Sequence, residues 1–343
     1  MVNRSRLRLI LGAFALALSA ATSSATADDE IRVGIIGLDT SHAIAFPKVM
    51  NDPKQTGALA KCRVVAAYPK GSPDIQSSVS RVPKYTQQIR DMGIEIVDSI
   101  PDLLERVDAV LLETNDGRPH LEQVIPVFKA GKPVFIDKPV AGTLADAIAI
   151  AKAAKRYKTP FFSSSSLRYA TGVQAVANGS AGKVLGADVY SPCSLEPTHP
   201  DLFWYGIHGV EMLYTVMGTG CVSVTRTSTA DTDTVVGQWS DGRIGMFRGM
   251  RSGKRGYGGT AYGTKLIANL GTFTGYNALV VEIAKFFDSG NPPVSPDVTI
   301  EIYAFMEAAD ESKRQNGKPV TLAQTVATAS RTATQRLTTL NID

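Results

Sequence analysis

From residue 31 onward the chain alternates short apolar runs with helix-length stretches, and this alternation constrains the fold more than any other feature. Ile31 to Gly37, Cys62 to Tyr68, Ile94 to Val97, Ala109 to Glu113, Pro133 to Ile136 and Pro160 to Ser163 read as strands. Helical patterns fall near 42–50, near 119–130 and from Ala141 to Tyr157. Strands separated by helices need crossover connections, which build a parallel sheet covered by helices. Beyond Arg168 the order changes. A helix near 207–217 precedes consecutive β-type runs over 221–229, 233–239, 242–248 and 262–269, and helices follow near 275–288 and 299–315. Consecutive strands predict a mostly antiparallel sheet with helices on one face and the other face open. The expected fold class is α/β. A parallel-sheet domain covers 28–162, a C-terminal α+β domain covers 163–343, and Ser163–Ser166 lies at the joint.

The first residues carry a different signal. Arg4, Arg6 and Arg8 precede an apolar run from Leu9 to Leu18, and Ala25-Thr26-Ala27 supplies small residues at a cleavage position. That pattern predicts a secretory signal peptide over 1–27, cleaved after Ala27, and an exported periplasmic or secreted protein. The apolar run is shorter than the ~20 residues of a stable span, so no stable membrane anchor is expected. The formal charge of +4 includes those three arginines. The remainder is near neutral and gives no general electrostatic reason to bind nucleic acid. Cys62, Cys193 and Cys221 are far apart and show no metal-type spacing, though one disulfide is open to an exported chain. Cys62 opens a strand pattern and reads as a buried thiol.

The motifs form a recognisable series. Val33-Gly34-Ile35-Ile36-Gly37, Thr114-Asn115 with His120, Ala130-Gly131-Lys132-Pro133 and Asp137-Lys138-Pro139 follow in order. Leu167-Arg168-Tyr169, Gly206-Ile207-His208 and the stretch Ala304–Ser312 before Gly317-Lys318-Pro319-Val320 continue it. Together they resemble the glucose–fructose oxidoreductase and inositol dehydrogenase (Gfo/Idh/MocA) family over essentially the whole chain after the leader. The resemblance implies a Rossmann-like first domain holding a nicotinamide cofactor, NAD or NADP. It implies a sugar or polyol on the open-faced sheet of the second domain, and association of like chains through that sheet. It also implies catalytic roles for Lys138 and His208. A histidine near neutral pKa can take a hydroxyl proton while a lysine ammonium stabilises the developing oxyanion. By position the cofactor contacts would be Gly37, Asp39, Thr40, Ser41, His42, Thr114, Asn115, His120 and Lys138.

Departures from the pattern matter as much. A dinucleotide fingerprint needs G-x-G-x-x-G after the first strand, and here the frame reads Gly37-Leu38-Asp39-Thr40-Ser41-His42. Only the first glycine survives. Asp39 brings a carboxylate where a backbone would approach the pyrophosphate; two unit charges at ~4 Å repel by about 4 kcal/mol at an effective dielectric near 20. Alternatively Asp39, Thr40 or Ser41 caps the following helix, or Asp39 itself fills the phosphate position. The acidic residue that would hold the adenine ribose is missing from Ala67-Tyr68-Pro69-Lys70-Gly71. Lys70 is either a contact to a 2′-phosphate or a solvated loop lysine.

On the substrate side, relatives commonly place an aspartate four residues before the catalytic histidine, where this chain has Trp204. An aromatic face suits the C–H side of a sugar. Arg168, Trp204 and Glu211 are the candidate substrate residues, with Glu211 placed one helical turn from His208 to orient its imidazole. Glu196, His199, Asp201 and His208 match no standard ligand spacing, so no metal site is expected. The basic, glycine-rich stretch Arg251–Gly259 is either a loop over the active site or a mobile connection. Three functions fit: an oxidoreductase acting on a sugar or sugar derivative, a lyase or hydrolase-like relative using Lys138 and His208 on a carbohydrate, or a non-catalytic carbohydrate-binding protein.

Overall fold

The computed structural model describes residues 30–342; the expected signal peptide and its cleavage site lie outside them. The first half lays down β1 (Ile31–Ile36), α1 (His42–Met50), α2 (Ala58–Lys61), β2 (Cys62–Tyr68), α3 (Gln76–Asp91), β3 (Glu95–Ile96), α4 (Ile100–Leu104), β4 (Ala109–Leu112), α5 (His120–Lys129), β5 (Val134–Ile136), α6 (Leu144–Tyr157) and β6 (Phe161–Phe162). These strands form one six-stranded sheet in the order β3-β2-β1-β4-β5-β6. Every neighbouring pair in it is parallel. β4 and β5 are buried along their whole length, as a sheet covered on both faces requires. The order reverses between β1 and β4, and the carboxyl ends of those two strands open the crevice in which such sheets bind ligands.

A 3-10 turn at Ser166–Tyr169 leads into the second half. It comprises α7 (Thr171–Ala177), β7 (Val184–Pro192), α8 (Asp201–Trp204), α9 (Ile207–Met217), β8 (Cys221–Ser228), β9 (Thr232–Trp239), β10 (Ile244–Met250), β11 (Gly258–Gly263), β12 (Ile267–Asn269), α10 (Asn277–Ser289), α11 (Pro296–Arg314), β13 (Val320–Thr321) and α12 (Leu322–Thr339). Its sheet runs β12-β11-β7-β10-β9-β8-β13, antiparallel throughout except where β7 and β10 lie parallel. One face is closed by α9. Gly209 on that helix comes so close to the sheet that a Cβ would stand 2.4 Å from the Phe247 ring. The other face is open, with Tyr190, Ile244, Tyr262 and Ile267 exposed on it. α10 belongs by packing to the first sheet, its Leu279, Val280 and Ile283 joining Val33, Phe46 and Phe135 in one core. The C-terminal segment therefore covers both sheets and lines the crevice from above. Cys62, Cys193 and Cys221 are all free, buried thiols. Among the described residues no helix is long and apolar enough to cross a membrane.

Candidate functional site

A cavity of about 310 Å³ opens at the amino end of α1, between the two sheets. Thr40, Ser41 and His42 enter it from the β1–α1 loop, Asn115 from the end of β4, and Lys138 from the end of β5. His208 of α9 faces it from the other side, with Trp204, Tyr205, Tyr257 and Tyr276 as aromatic walls. The two expected catalytic residues thus share one cavity. Its size stands at the small end of the ~300–1,000 Å³ typical of ligand pockets.

His208 is buried, and Ser165 Oγ holds its Nδ1 at 2.7 Å. Ser165 Oγ also accepts the Leu167 N–H at 3.2 Å, so its position is fixed by the turn that follows β6. Nε2 is the nitrogen left for proton exchange. Burial first, and the Lys138 charge second, hold the imidazole well below the ordinary histidine range. His208 is therefore neutral, and able to accept a proton, at neutral pH. In the unfolded chain it regains an ordinary pKa near 6.5. Below that value the unfolded state binds a proton that the folded state does not, so acidification through pH 6.5 lowers stability. Urea midpoints at pH 7.5 and 5.5 should show a steeper acid loss in the wild type than in His208→Gln. Lys138 Nζ lies 6.0 Å from the Tyr205 ring centroid, and Tyr205 packs edge-on against His208 at 5.1 Å.

Other expected site residues lie elsewhere. Glu211 does not orient His208. Its Oε1 accepts from Arg168 Nε at 2.5 Å and from Ser164 Oγ at 3.0 Å, which ties α9 to the 3-10 turn behind the cavity. Arg168 is engaged in that pair and does not line the cavity. His120 is fully buried, with Nε2 2.8 Å from the Thr114 carbonyl oxygen and Nδ1 3.2 Å from that of Val140. It braces the β4 and β5 loops and meets no ligand space. The Thr114 hydroxyl donates to Gln123 Oε1. Gly37 sits at φ +94°, and a Cβ there would lie 2.4 Å from Thr114 N, which explains why this first glycine survives. His199 and Asp201, weighed as metal ligands, fall into separate networks around Asp116 and Arg226. In the basic loop, Tyr257 reaches the cavity while Lys254 and Arg255 are exposed.

Asp39 resolves the fate of the fingerprint. Its carboxylate is turned under the loop and fully buried, accepting the Asn115 N–H at 2.8 Å and the Ser78 hydroxyl at 2.7 Å. Burial raises its pKa, against the pull of those two bonds. It caps nothing: Ser41 occupies the N-cap position of α1 without a side-chain cap bond. The Asp39 bonds cross the crevice from the end of β1 to the end of β4 and to α3. Further along, Ser72 Oγ donates to Asp116 Oδ2 at 2.5 Å, and Arg118 links Asp116 to Asp74. The Gly71 backbone approaches α3 so closely that a Cβ would stand 2.4 Å from Ser78 Oγ. These links brace the walls of a second cavity of about 550 Å³, lined by Lys70, Gly71, Ser72, Thr114, Asp116 and Arg118 beyond the ends of β2 and β4. Asp39 and His42 stand where a dinucleotide fingerprint has its second and third glycines, so the loop lacks the close backbone approach to a pyrophosphate that those glycines give.

The nicotinamide end of the crevice holds a cluster that sequence reasoning missed. His42, at the third fingerprint position, places Nδ1 2.7 Å from Asp137 Oδ2 and 3.9 Å from Glu113 Oε2. Burial opposes ionisation of Asp137, but the hydrogen bond with His42 and the Lys138 charge prevail and hold its carboxyl below the usual range. Glu113 is fully buried beside it; burial and the Asp137 charge push its carboxyl well above the usual range. The signal lay in the sequence as an acid closing the apolar run Ala109–Leu112.

Comparison with known proteins agrees with the fold. Residues 31–164 match the model of the Gfo/Idh/MocA family, described as an oxidoreductase family with an NAD-binding Rossmann fold. A probable dehydrogenase from Thermotoga maritima superposes with a TM-score of 0.69 at 20% identity, covering 86% of this chain and 100% of its own. The scyllo-inositol dehydrogenase of Lactobacillus casei, solved with NAD(H) and scyllo-inositol, gives 0.67 at 17% identity, covering 86% and 99%. A putative NADPH-dependent oxidoreductase from Desulfitobacterium hafniense gives 0.70 at 15%, covering 87% and 99%. At such identities the likeness shows the fold. No curated protein matches the sequence.

Proposed function

We propose that the chain, whose residues 31–164 match the model of the Gfo/Idh/MocA oxidoreductase family, keeps an acid–base pair, Lys138 and His208, and uses it on a carbohydrate without a resident dinucleotide. The observation that carries this reading is the coincidence of two features. Lys138 and a neutral His208 share a cavity of sugar-like size, and Asp39 and His42 replace the fingerprint glycines that would admit a pyrophosphate. The chemistry is redox-neutral proton transfer of the lyase type. A C–H bond beside a carbonyl or carboxylate gives its proton to His208 Nε2. The freed electron pair forms the enolate double bond, and Lys138 stabilises the enolate oxygen. The enolate then re-forms its carbonyl as its electron pair becomes the new C=C bond and expels the β-oxygen, which takes the proton from His208 Nε2, so atoms and electrons balance without an acceptor. Trp204, Tyr205 and Tyr257 offer aromatic faces to the sugar's C–H side. Export through the leader over 1–27 accords with an enzyme that needs no soluble cofactor.

A second reading, the family-type sugar oxidoreductase using NAD or NADP, is favoured by the intact Gly37 turn and by the α1 terminus opening into the cavity beside Lys138. The cofactor would then supply the hydride acceptor, and the same two residues would handle the hydroxyl proton. The absorbance of the purified protein and of its denaturation-released contents separates the readings. We expect no stoichiometric nicotinamide nucleotide, and turnover of acidic or keto sugars that needs none added; a molar equivalent of released nucleotide would establish the second reading.

The open face of the second sheet suits a second copy of the chain, since Ile244 and Ile267 are 53% and 70% exposed there. Light scattering should give at least twice the protomer mass. Ile244→Lys combined with Tyr262→Lys should reduce it to a single protomer.

A further inference from the structure

We propose that His42, Glu113 and Asp137 form a buried binding site for a first-row divalent cation, such as Zn²⁺ or Mn²⁺, beside the cavity that His42 lines. One ligand atom from each residue lies within 4.8 Å of the other two. Donors at the ~2.0–2.2 Å bonds of a tetrahedral zinc stand about 3.4 Å apart. Without metal, His42 Nδ1 is hydrogen-bonded to Asp137 Oδ2 at 2.7 Å and stands 3.9 Å from Glu113 Oε2, so a cation would part the first pair and draw in the second by less than ~1 Å each.

Each ligand is held in place. Asp137 Oδ1 accepts the Lys138 N–H at 2.8 Å, which leaves Oδ2 to point at the cluster. The His42 ring stacks on Phe46 at 4.9 Å and meets the edge of Tyr276 at 4.7 Å. Independent of this geometry is the condition of Glu113. Its side chain is fully buried, and neither carboxylate oxygen has a hydrogen-bond partner among the described residues. A buried carboxylate without a partner is strongly disfavoured, and nature supplies either a proton or a metal. The Lys138 ammonium offsets only one of the two carboxylate charges.

Three protein ligands of this kind leave one position free, as in a catalytic rather than a structural zinc site. One imidazole with two carboxylates suits Zn²⁺ or Mn²⁺ better than a thiolate-seeking ion. The site is independent of the proposed lyase chemistry, and its test reads metal rather than activity.

The full chain, dialysed against a chelator, is titrated with Zn²⁺ and separately with Mn²⁺ by calorimetry, and its metal content as purified is measured by mass spectrometry. One equivalent of at least one ion should bind. Affinity should fall at least 100-fold in both His42→Ala and the near-isosteric Glu113→Gln, with circular dichroism confirming that Glu113→Gln is folded. The buried thiols are controlled by Cys62→Ala, which should bind as wild type. Absence of binding by the wild type overturns the proposal, as does equal binding by folded Glu113→Gln. In either case the cluster is not a cation site.

Discussion

Lys138→Met and His208→Ala should each lower turnover at least ~100-fold on the true substrate, the scale of losing a general base or an oxyanion-stabilising group. The expectation rests on their shared cavity and on the neutral state that burial gives His208. The loss should fall on kcat and on kcat/KM alike, because both groups act on charge that develops only in the transition state. Ser165→Ala should follow the same pattern more weakly. Its hydroxyl positions the imidazole through Nδ1 and touches no reacting atom. Steady-state kinetics on each variant check this, and near-normal turnover in Lys138→Met or His208→Ala removes that residue from the site.

The second large effect is on stability. Asp39→Gly deletes a fully buried carboxylate with two hydrogen bonds, strands the Asn115 N–H and unties α3 from the β1–α1 loop. Leaving one buried donor unsatisfied costs about 1–3 kcal/mol, and the loss should be about 2 kcal/mol in all. That exceeds the few tenths expected if Asp39 were only a helix cap replaced by glycine. Asp39→Asn, which keeps an acceptor for the Asn115 N–H, should lose less. Urea denaturation of the two variants gives the comparison; a glycine variant as stable as wild type would mean that the bridge contributes nothing.

Much of the architecture was legible because it is written in period. Apolar runs such as Ala109–Leu112, buried at every position, announce a covered parallel strand. The elements that escaped notice lack that writing. β7 carries Gly186, Asp188 and Pro192, so its run lacks apolar continuity, yet it is central to the second sheet and parallel to β10. α3 contains Pro83 and buries only Ser78, Thr86 and Ile89, and α12 buries only Leu322, Ala333 and Leu337. Their helical faces are small and polar, so tertiary contact rather than amphipathic pattern holds them. The missed α3 had a consequence at the site, because Ser78 is the partner that turns Asp39 inward.

The site was legible where motif and position coincide. Lys138 and His208, Thr40, Ser41, His42 and Asn115 meet at one cavity, and Trp204 joins them. Spacing alone misdirected the reading of Glu211. One turn from His208 it shares a helix face, but Arg168 is a stronger partner for a carboxylate than an imidazole already held by Ser165. The His42–Glu113–Asp137 cluster joins three loops separated by as many as 95 residues, and no local pattern reports such a meeting.

Calorimetric titration of NAD and NADP into wild type and Asp39→Gly tests most directly whether the chain holds a dinucleotide. Wild type should bind neither, and the glycine variant should gain affinity for at least one as the close backbone approach to a pyrophosphate returns. The gain should stay small while His42 still stands at the third glycine's position. Tight wild-type binding that the glycine weakens would contradict this, for Asp39 would then be a ligand of the cofactor and not an obstacle to it.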